Sequence, residues 1–465
     1  MDQSFLEEII KDPNNDDPRL IYADYLEENG DPLGELIRLQ CDMAKMRGDE
    51  PEFPALEKRQ FALLKKHKPR WTESVAEMTR TAKVYRGFVR DVVLGAKQFI
   101  AHHKTLFERA PIQKATVVKV SSKSYAEFAE CESLAKLDSL KLSDLPIEAS
   151  EFSELMASPY LANLKGFSIS VHGTNEGIYR AIGKSRMAQE VRELDFSWNG
   201  MESDGLIALL EGGNFHKLKS LSCDMDGISD DGLMAVANSS CLANLQALHL
   251  SRNAFGPEGV IAIALSSNLT RLRSLTLNEN SVEDDGFTSL VGSTNLSNLV
   301  SLGVARCYLS NASFRKLTES EFGHELQSLD ASYNGLGYDS LAAIIESPLQ
   351  KLTRLIWDGN ELNSSAPVAD LIAALPLTYL SMSECGLRNS DVTAFADAAG
   401  ASSLRTLILS DNKLNDAAGV SILNSENLKS LACLKLDKNN ISRDMQSRLR
   451  KKFGAGVCVF SRPTK

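Results

Sequence analysis

The chain has 465 residues, of which 43% are hydrophobic and 24% charged; that supports a packed core and argues against wholesale disorder. Its net charge of −10 weighs against a nucleic-acid binder, whose surface normally carries a basic excess. No run approaches 18 apolar residues, and the acidic start through Asp2, Glu7 and Glu8 lacks a signal-peptide layout, so the expectation is a cytoplasmic protein without membrane contact.

From the N-terminus, residues 1–80 read as helices. Asp16-Asp17-Pro18 opens one that runs to Glu28, and Asn29-Gly30-Asp31-Pro32 stops it. A second runs from Leu33 to Met46 and a third from Pro54 to His67. Within such a bundle Arg19 is expected to pair with Asp24 or Asp31, and Glu35 with Arg38. Charge is uneven here: residues 1–50 hold 14 acids against five bases, whereas Lys58 to Arg70 holds six bases and no acid. The basic run is read as a solvated helical face.

Beyond residue 84 the chain repeats. The pattern L-x-x-L-x-L-x-x-N-x-L is clearest at Leu245–Phe255, Leu272–Val282 and Leu404–Leu414. Its first position falls at Leu137, Leu164, Val191, Leu218, Leu245, Leu272, Leu299, Leu326, Leu352, Leu377, Leu404 and Leu431, so the step is 27 residues seven times running, then 26, 25, 27 and 27. A weaker copy begins at Ile112, and Val89-x-x-Val92-x-Leu94 starts the array as an atypical cap. At the far end Arg443–Phe453 reads as a helix and Val457–Phe460 as a last strand.

Each repeat has two halves. The L-x-L core alternates with period two, which predicts a short strand. The second half places apolar residues at helical spacing, with Asp204, Asp231, Glu258 or Asp285 just before a glycine, where an acid suits a helix N-terminus. Strands stack about 4.8 Å apart and helices need about 10 Å, so the array should curve with its strands inside. The expected fold is α/β: a right-handed solenoid of about 13 repeats over residues 81–465, strands parallel and concave, helices convex, behind a small helical domain over residues 1–80.

The 27-residue period, the helical outer half and the asparagine column resemble the ribonuclease-inhibitor class of leucine-rich repeats. That resemblance covers about residues 84–465 and implies the fold rather than one function, since the class includes inhibitors, GTPase activators and innate sensors. Residues 17–28, Gly30-Asp31-Pro32, Gly34-Glu35 and Ile37-Arg38-Leu39-Gln40 resemble the small companion domain that precedes leucine-rich repeats in planctomycetal proteins. Tyr25 and Leu36 stand where that domain has Trp and Phe. The resemblance implies a bacterial chain whose N-terminal helices cap the solenoid.

No catalytic signature appears: neither G-x-S-x-G, a phosphate-binding loop, H-E-x-x-H nor a dinucleotide loop is present. The eight cysteines are scattered without C-x-x-C spacing, which reads as reduced thiols rather than disulfides or a zinc site. Adjacent His102 and His103 point in different directions on a helix. No catalytic residue, metal ligand or cofactor is therefore expected. The third, fifth, seventh and eighth positions of each repeat should face outward. From these, Glu193, Asp195, Trp198, Asp224, Met225, Arg252, Asp330, Tyr333, Arg354 and Asp358 are the candidate partner contacts, because aromatics and arginines dominate interface energy and acids steer basic partners. Trp357, at the sixth position, should be core. The function expected is a non-enzymatic scaffold that binds a protein partner on the concave face of the solenoid; the alternatives are an inhibitor or regulator of a basic enzyme, as the ribonuclease inhibitor is, or a GTPase activator.

Overall fold

The computed structural model describes residues 3–46, 53–120, 124–145, 149–171, 175–320, 322–362, 367–454 and 456–460. The chain divides into two compact units, one of residues 1–199 with 211–218, the other of 200–210 with 219–465.

The first unit opens with four helices: α1 (Gln3–Lys11), α2 (Asp17–Glu28), α3 (Pro32–Lys45) and α4 (Phe53–Ala76). Asp31 caps α3, its side chain accepting from the Leu33 N–H. The α4 helix runs through Pro69, well past His67, and the buried Trp71 and Val75 anchor its last turns. The expected ion pairs are replaced. Arg38 reaches Asp24 and Glu27, Arg59 takes Glu35, and Arg70 takes Asp31. Arg19 is 3% exposed; it donates to the Asn15 carbonyl at 2.7 Å and lies over the Phe88 ring. Removing a guanidinium from water is costly unless it is bonded, and the N-terminal loop meets that need better than a surface acid.

Strands β1 (Thr81–Tyr85) and β2 (Phe88–Gly95) follow, then α5 (Ala96–Arg109), β3 (Lys114–Val118), α6 (Tyr125–Ala129), β4 (Ser139–Leu145), α7 (Ala149–Met156), β5 (Gly166–Val171), α8 (Glu176–Lys184) and β6 (Glu193–Asp195). From β2 to β6 each strand pairs parallel with the next. The array does not begin with a parallel strand, however: β1 and β2 form an antiparallel hairpin. Arg86 (φ 49°) and Gly87 (φ 82°) make its turn, the two-residue loop with both φ positive that matches strand twist. The buried Gln40 joins this turn to α3, accepting from the Gly87 N–H at 2.8 Å and donating to the Val84 carbonyl at 3.3 Å.

The second unit holds α9 (Glu202–Leu210), β7 (Ser220–Ser222), α10 (Asp230–Asn238), β8 (Ala247–His249), α11 (Pro257–Leu265), β9 (Ser274–Thr276), α12 (Glu283–Val291), β10 (Ser301–Gly303), α13 (Asn311–Arg315), β11 (Ser328–Asp330), α14 (Tyr338–Glu346), β12 (Arg354–Ile356), α15 (Val368–Ala374), β13 (Tyr379–Ser381), α16 (Asn389–Asp397), β14 (Thr406–Ile408), α17 (Asp416–Asn424), β15 (Cys433–Lys435), α18 (Arg443–Phe453) and β16 (Cys458–Val459). Its strands lie in chain order, each parallel to the next and in repeat register, as with Leu302 between Leu275 and Leu329. The fold is an α/β leucine-rich-repeat solenoid. The fourth-position residues Leu221, Leu248, Leu275, Leu302, Leu329, Leu355, Leu380, Leu407 and Leu434 are at most 2% exposed, each contributing about 2 kcal/mol of burial. Trp357 is fully buried beside them. The short 25-residue step is absorbed in the helical half, where α15 has seven residues against nine in α14, so strand register is undisturbed.

Helix starts are joined by their own ladder. Asp230 accepts from the N–H groups of Gly256 and Gly259 at 2.9 and 2.8 Å. Asp284 accepts from Ser310, Asn311 from Gly337, Asn389 from Asn415 and Asp416 from Ser442. Asp204, Asp231, Glu258 and Asp285 do sit in first helical turns, yet in two repeats the bonding acid is the residue before, Asp230 or Asp284. Gly259 is needed for this close approach, since a Cβ there would stand 2.7 Å from Asp230 Oδ1.

Candidate partner-binding surface

The surface is built by the asparagine column. Asn280 donates to the carbonyls of Leu277 and Asn278 in its own repeat and of Leu250 in the preceding one, while its Oδ1 accepts from the Asn253 N–H at 2.7 Å. Asn253, Asn334, Asn360, Asn412 and Asn439 repeat the arrangement. Turning the ninth-position side chain inward, whether asparagine or the buried Asp226, Cys307 and Cys385, forces a reversal one residue earlier. The eighth position is accordingly left-handed in every repeat from Val191 onward: Trp198 (φ 68°), Met225 (60°), Arg252 (58°), Glu279 (59°), Arg306 (53°), Tyr333 (56°), Gly359 (67°), Glu384 (55°), Asp411 (53°) and Lys438 (54°).

For a non-glycine residue this conformation costs roughly 1–2 kcal/mol, and the neighbouring repeat holds it in place. In the second unit the eighth-position N–H donates to the seventh-position carbonyl of the next repeat, as in Arg252 to Asn278, Glu279 to Ala305, Arg306 to Ser332 and Tyr333 to Asp358, at 2.7–2.8 Å. The result is a row of large side chains on a fixed backbone.

In that row Arg252 pairs with Glu279 at 2.8 Å and Lys438 with Asp411 at 2.8 Å. Between them the Arg306 guanidinium lies 4.0 Å from the Tyr333 ring centroid, a cation–π contact. The Tyr333 ring covers Gly359, and the Glu384 carboxylate lies near its hydroxyl. Burial, then the Glu384 carboxylate, pushes the Tyr333 phenol above its ordinary range. Among the described residues Arg306 forms no ion pair. Arg306, Tyr308, Tyr333 and Glu279 line a cleft of about 520 Å³. Tyr308, which the sequence reading passed over, is 74% exposed and also left-handed at φ 58°; it lies outside the four repeat positions that were read as outward.

The other candidates divide by what they already bind. In the first unit, Glu193 and Asp195 are exposed on β6, with Asp195 Oδ1 accepting from the Ser197 N–H at 3.1 Å. Trp198 is 66% exposed. In the second unit, Met225 is 41% exposed. Asp224 is half-buried, accepting from the Ser251 N–H at 2.6 Å. Asp358 accepts from the Ser383 N–H at 2.6 Å and the Ser381 hydroxyl at 2.7 Å, and Asn278 holds the Ala305 N–H in the same manner. These seventh-position side chains tie one repeat to the next. Asp330 accepts from the Ser332 N–H and hydroxyl, but burial still pushes its carboxyl above the usual range. Arg354 stacks on Tyr379, 3.5 Å from the ring centroid.

Cys307 and Cys385 fill the asparagine column; Cys307 Sγ donates to the Leu277 carbonyl at 3.2 Å and Cys385 Sγ to the Trp357 carbonyl at 3.3 Å. Burial pushes both thiols up to about 12. His103 Nδ1 lies 2.9 Å from the Ser133 hydroxyl, away from His102. Among the described residues no group of three or more His, Cys, Asp or Glu converges as metal ligands, and no helix is long and apolar enough to cross a membrane.

A leucine-rich-repeat family model matches residues 189–210, 241–264 and 400–423. No curated protein matches the chain. Among solved structures it is similar to an internalin (inlF) from Listeria monocytogenes, at 21% identity and TM-score 0.46, covering 72% of this chain and 83% of that one. A leucine-rich-repeat protein of Leptospira interrogans is 18% identical with TM-score 0.45, covering 80% and 90% respectively. The yeast Rad7 and Elc1 complex contains a chain 14% identical with TM-score 0.47, covering 78% and 89%. The matched stretches are thus leucine-rich repeats, and the fold is that of a leucine-rich-repeat solenoid.

Proposed function

We propose that the chain is a non-enzymatic scaffold that binds a protein partner through its strand-edge side chains. The observation that carries this reading is the left-handed row, in which Arg306, Tyr333 and Glu384 are fixed against one another beside an open cleft. Side chains already held in place lose little entropy on binding, and aromatic and arginine groups in a cleft are the usual centres of interface energy. The contacts proposed on the first unit are Glu193, Asp195 and Trp198. On the second they are Met225, Arg252, Tyr333 and Arg354, with Asp224, Asp330 and Asp358 beneath them shaping the surface. The exposed acids Glu193 and Asp195 favour a basic partner, as in an inhibitor or regulator of a basic enzyme.

The 27-residue period supports placing the repeats in the ribonuclease-inhibitor class. The bonds of Gln40 to the β1–β2 turn support a companion domain over residues 1–80 acting as a cap for the solenoid over 81–465. Eight free cysteines suit a reducing, cytoplasmic compartment, and the companion domain suits a bacterial source. The test is affinity capture from native lysate followed by calorimetry on the recovered partner. Trp198→Ala and Tyr333→Ala, taken singly, are each expected to weaken binding by about 1–2 kcal/mol. Wild-type affinity in both variants would place the working surface elsewhere.

A further inference from the structure

The N-terminal helices carry two exposed stripes of opposite charge. On the outer face of α2, Asp17, Ile21, Asp24, Tyr25 and Glu28 recur at helical spacing, and all five are exposed. On α4, Lys58, Phe61, Lys65 and Lys68 form a matching stripe, again fully outward. Three large apolar side chains lie in the open within these stripes, with Ile21 59%, Tyr25 47% and Phe61 67% exposed. Among the described residues, Asp17, Glu28, Lys58, Lys65 and Lys68 form no ion pair, and Asp24 is shared with Arg38. Both helices pack on α3, and their stripes face away from that contact.

The two stripes agree in order and in length. At 1.5 Å rise per residue, the acids on α2 stand at about 0, 10.5 and 16.5 Å along the axis, and the lysines on α4 at about 0, 10.5 and 15 Å. The apolar side chain follows the first charge on each helix, at about 6 Å for Ile21 and about 4.5 Å for Phe61. We infer that these faces meet between two copies of this chain, α2 of one lying parallel along α4 of the other. Asp17 then stands opposite Lys58, Ile21 packs on Phe61, Asp24 meets Lys65 and Glu28 meets Lys68. The net-acidic chain thereby sets the basic face of α4 against its own acidic α2 face. A single pairing of helices buries less than the roughly 1,600 Å² of a stable interface, so the association is weak and sensitive to salt.

Sedimentation velocity on the full chain, from about 5 to 200 μM at about 50 mM and about 500 mM salt, tests the pairing. The wild type is expected to self-associate at low salt and to dissociate at high salt. Lys65→Glu with Lys68→Glu, and separately Asp17→Lys with Glu28→Lys, should each leave a monomer. Mixing the two variants should restore association, because each then offers the charge the other needs. Phe61→Ser, which leaves every charge in place, should weaken self-association several-fold. A wild type that stays monomeric throughout overturns the inference, as does association that survives both charge variants or is not restored on mixing. A monomeric wild type that binds an oligonucleotide through Lys65 and Lys68 assigns the basic face to a polyanion instead.

Discussion

The ring of Tyr333 lies on Gly359 so closely that a Cβ at Gly359 would overlap its Cδ1 and Cε1 atoms. These are eighth-position residues of successive repeats, both left-handed. The glycine leaves the gap in which the Tyr333 ring is seated. Gly359→Ala adds a Cβ in a left-handed backbone and drives the ring off its seat, so it should destabilise by about 1–3 kcal/mol. Placed in a Tyr333→Ala background, the same change should cost only about 1 kcal/mol, since the backbone penalty alone remains. A double-mutant cycle by urea denaturation reads the difference, and equal costs in both backgrounds would show that the ring does not depend on the glycine.

The asparagine column makes a second prediction. Asn360 is fully buried; it accepts from the N–H groups of Asn334 and Leu336 and donates to the carbonyls of Ala331 and Trp357. Asn360→Ala takes the acceptor from the Asn334 and Leu336 N–H groups, while the Ala331 and Trp357 carbonyls keep Asn334 Nδ2 and Cys385 Sγ, and should cost about 2 kcal/mol or more. Cys307→Asn at the equivalent place should be neutral, or stabilising by up to about 1 kcal/mol, because the amide offers the same carbonyls a stronger donor. Denaturant midpoints for both variants decide it.

Much of the solenoid was legible in the sequence because burial imposes it. A strand with one face in the core must alternate, so the leucine spacing located every strand from β3 to β15. The opening hairpin was less legible: Arg86-Gly87 between apolar runs is a turn signal, but Val89-x-x-Val92-x-Leu94 keeps the repeat spacing that elsewhere means a parallel strand. The side-chain relationships were not legible, because they depend on what stands one repeat away. Nothing in the types Trp198, Met225, Arg306 or Tyr333 announces a left-handed backbone, which the inward turn of the ninth-position residue that follows, Asn199, Asp226, Cys307 or Asn334, dictates. Likewise Asp224 and Asp358 look like free surface acids until the neighbouring strand brings Ser251 or Ser383 under them.

Thiol chemistry offers a third check. With Cys307 and Cys385 pushed up to about 12 and both buried, almost no thiolate exists at pH 8. Cys433 alone among the eight cysteines is half-buried rather than buried. Iodoacetamide on the native chain should therefore modify Cys433 first, and reach Cys307 and Cys385 only after denaturant is added. Peptide mapping that finds Cys307 or Cys385 modified as fast as Cys433 would contradict the packing of the column.

The last prediction concerns Asp330. Burial raises its carboxyl above the ordinary carboxylate range despite two bonds from Ser332, with Asp358 adding to the rise and Arg354 opposing it. A raised value means that the folded chain holds this proton more tightly than the unfolded one, so the contribution of Asp330 is most favourable below the unfolded value near 3.8. As pH climbs through the raised folded value that contribution is lost, and at neutral pH the ionised carboxylate carries a net cost. Asparagine keeps an oxygen for the Ser332 N–H and hydroxyl but cannot ionise. Asp330→Asn should therefore raise the urea midpoint at pH 7, and its advantage should shrink steadily as pH falls toward about 3. Carboxylates elsewhere, such as Asp284 and Asp416, whose hydrogen bonds lower their values, titrate equally in both proteins and cancel in the comparison. An advantage that stays constant across this range, or a variant less stable at pH 7, would show that desolvation of Asp330 is not what sets its cost.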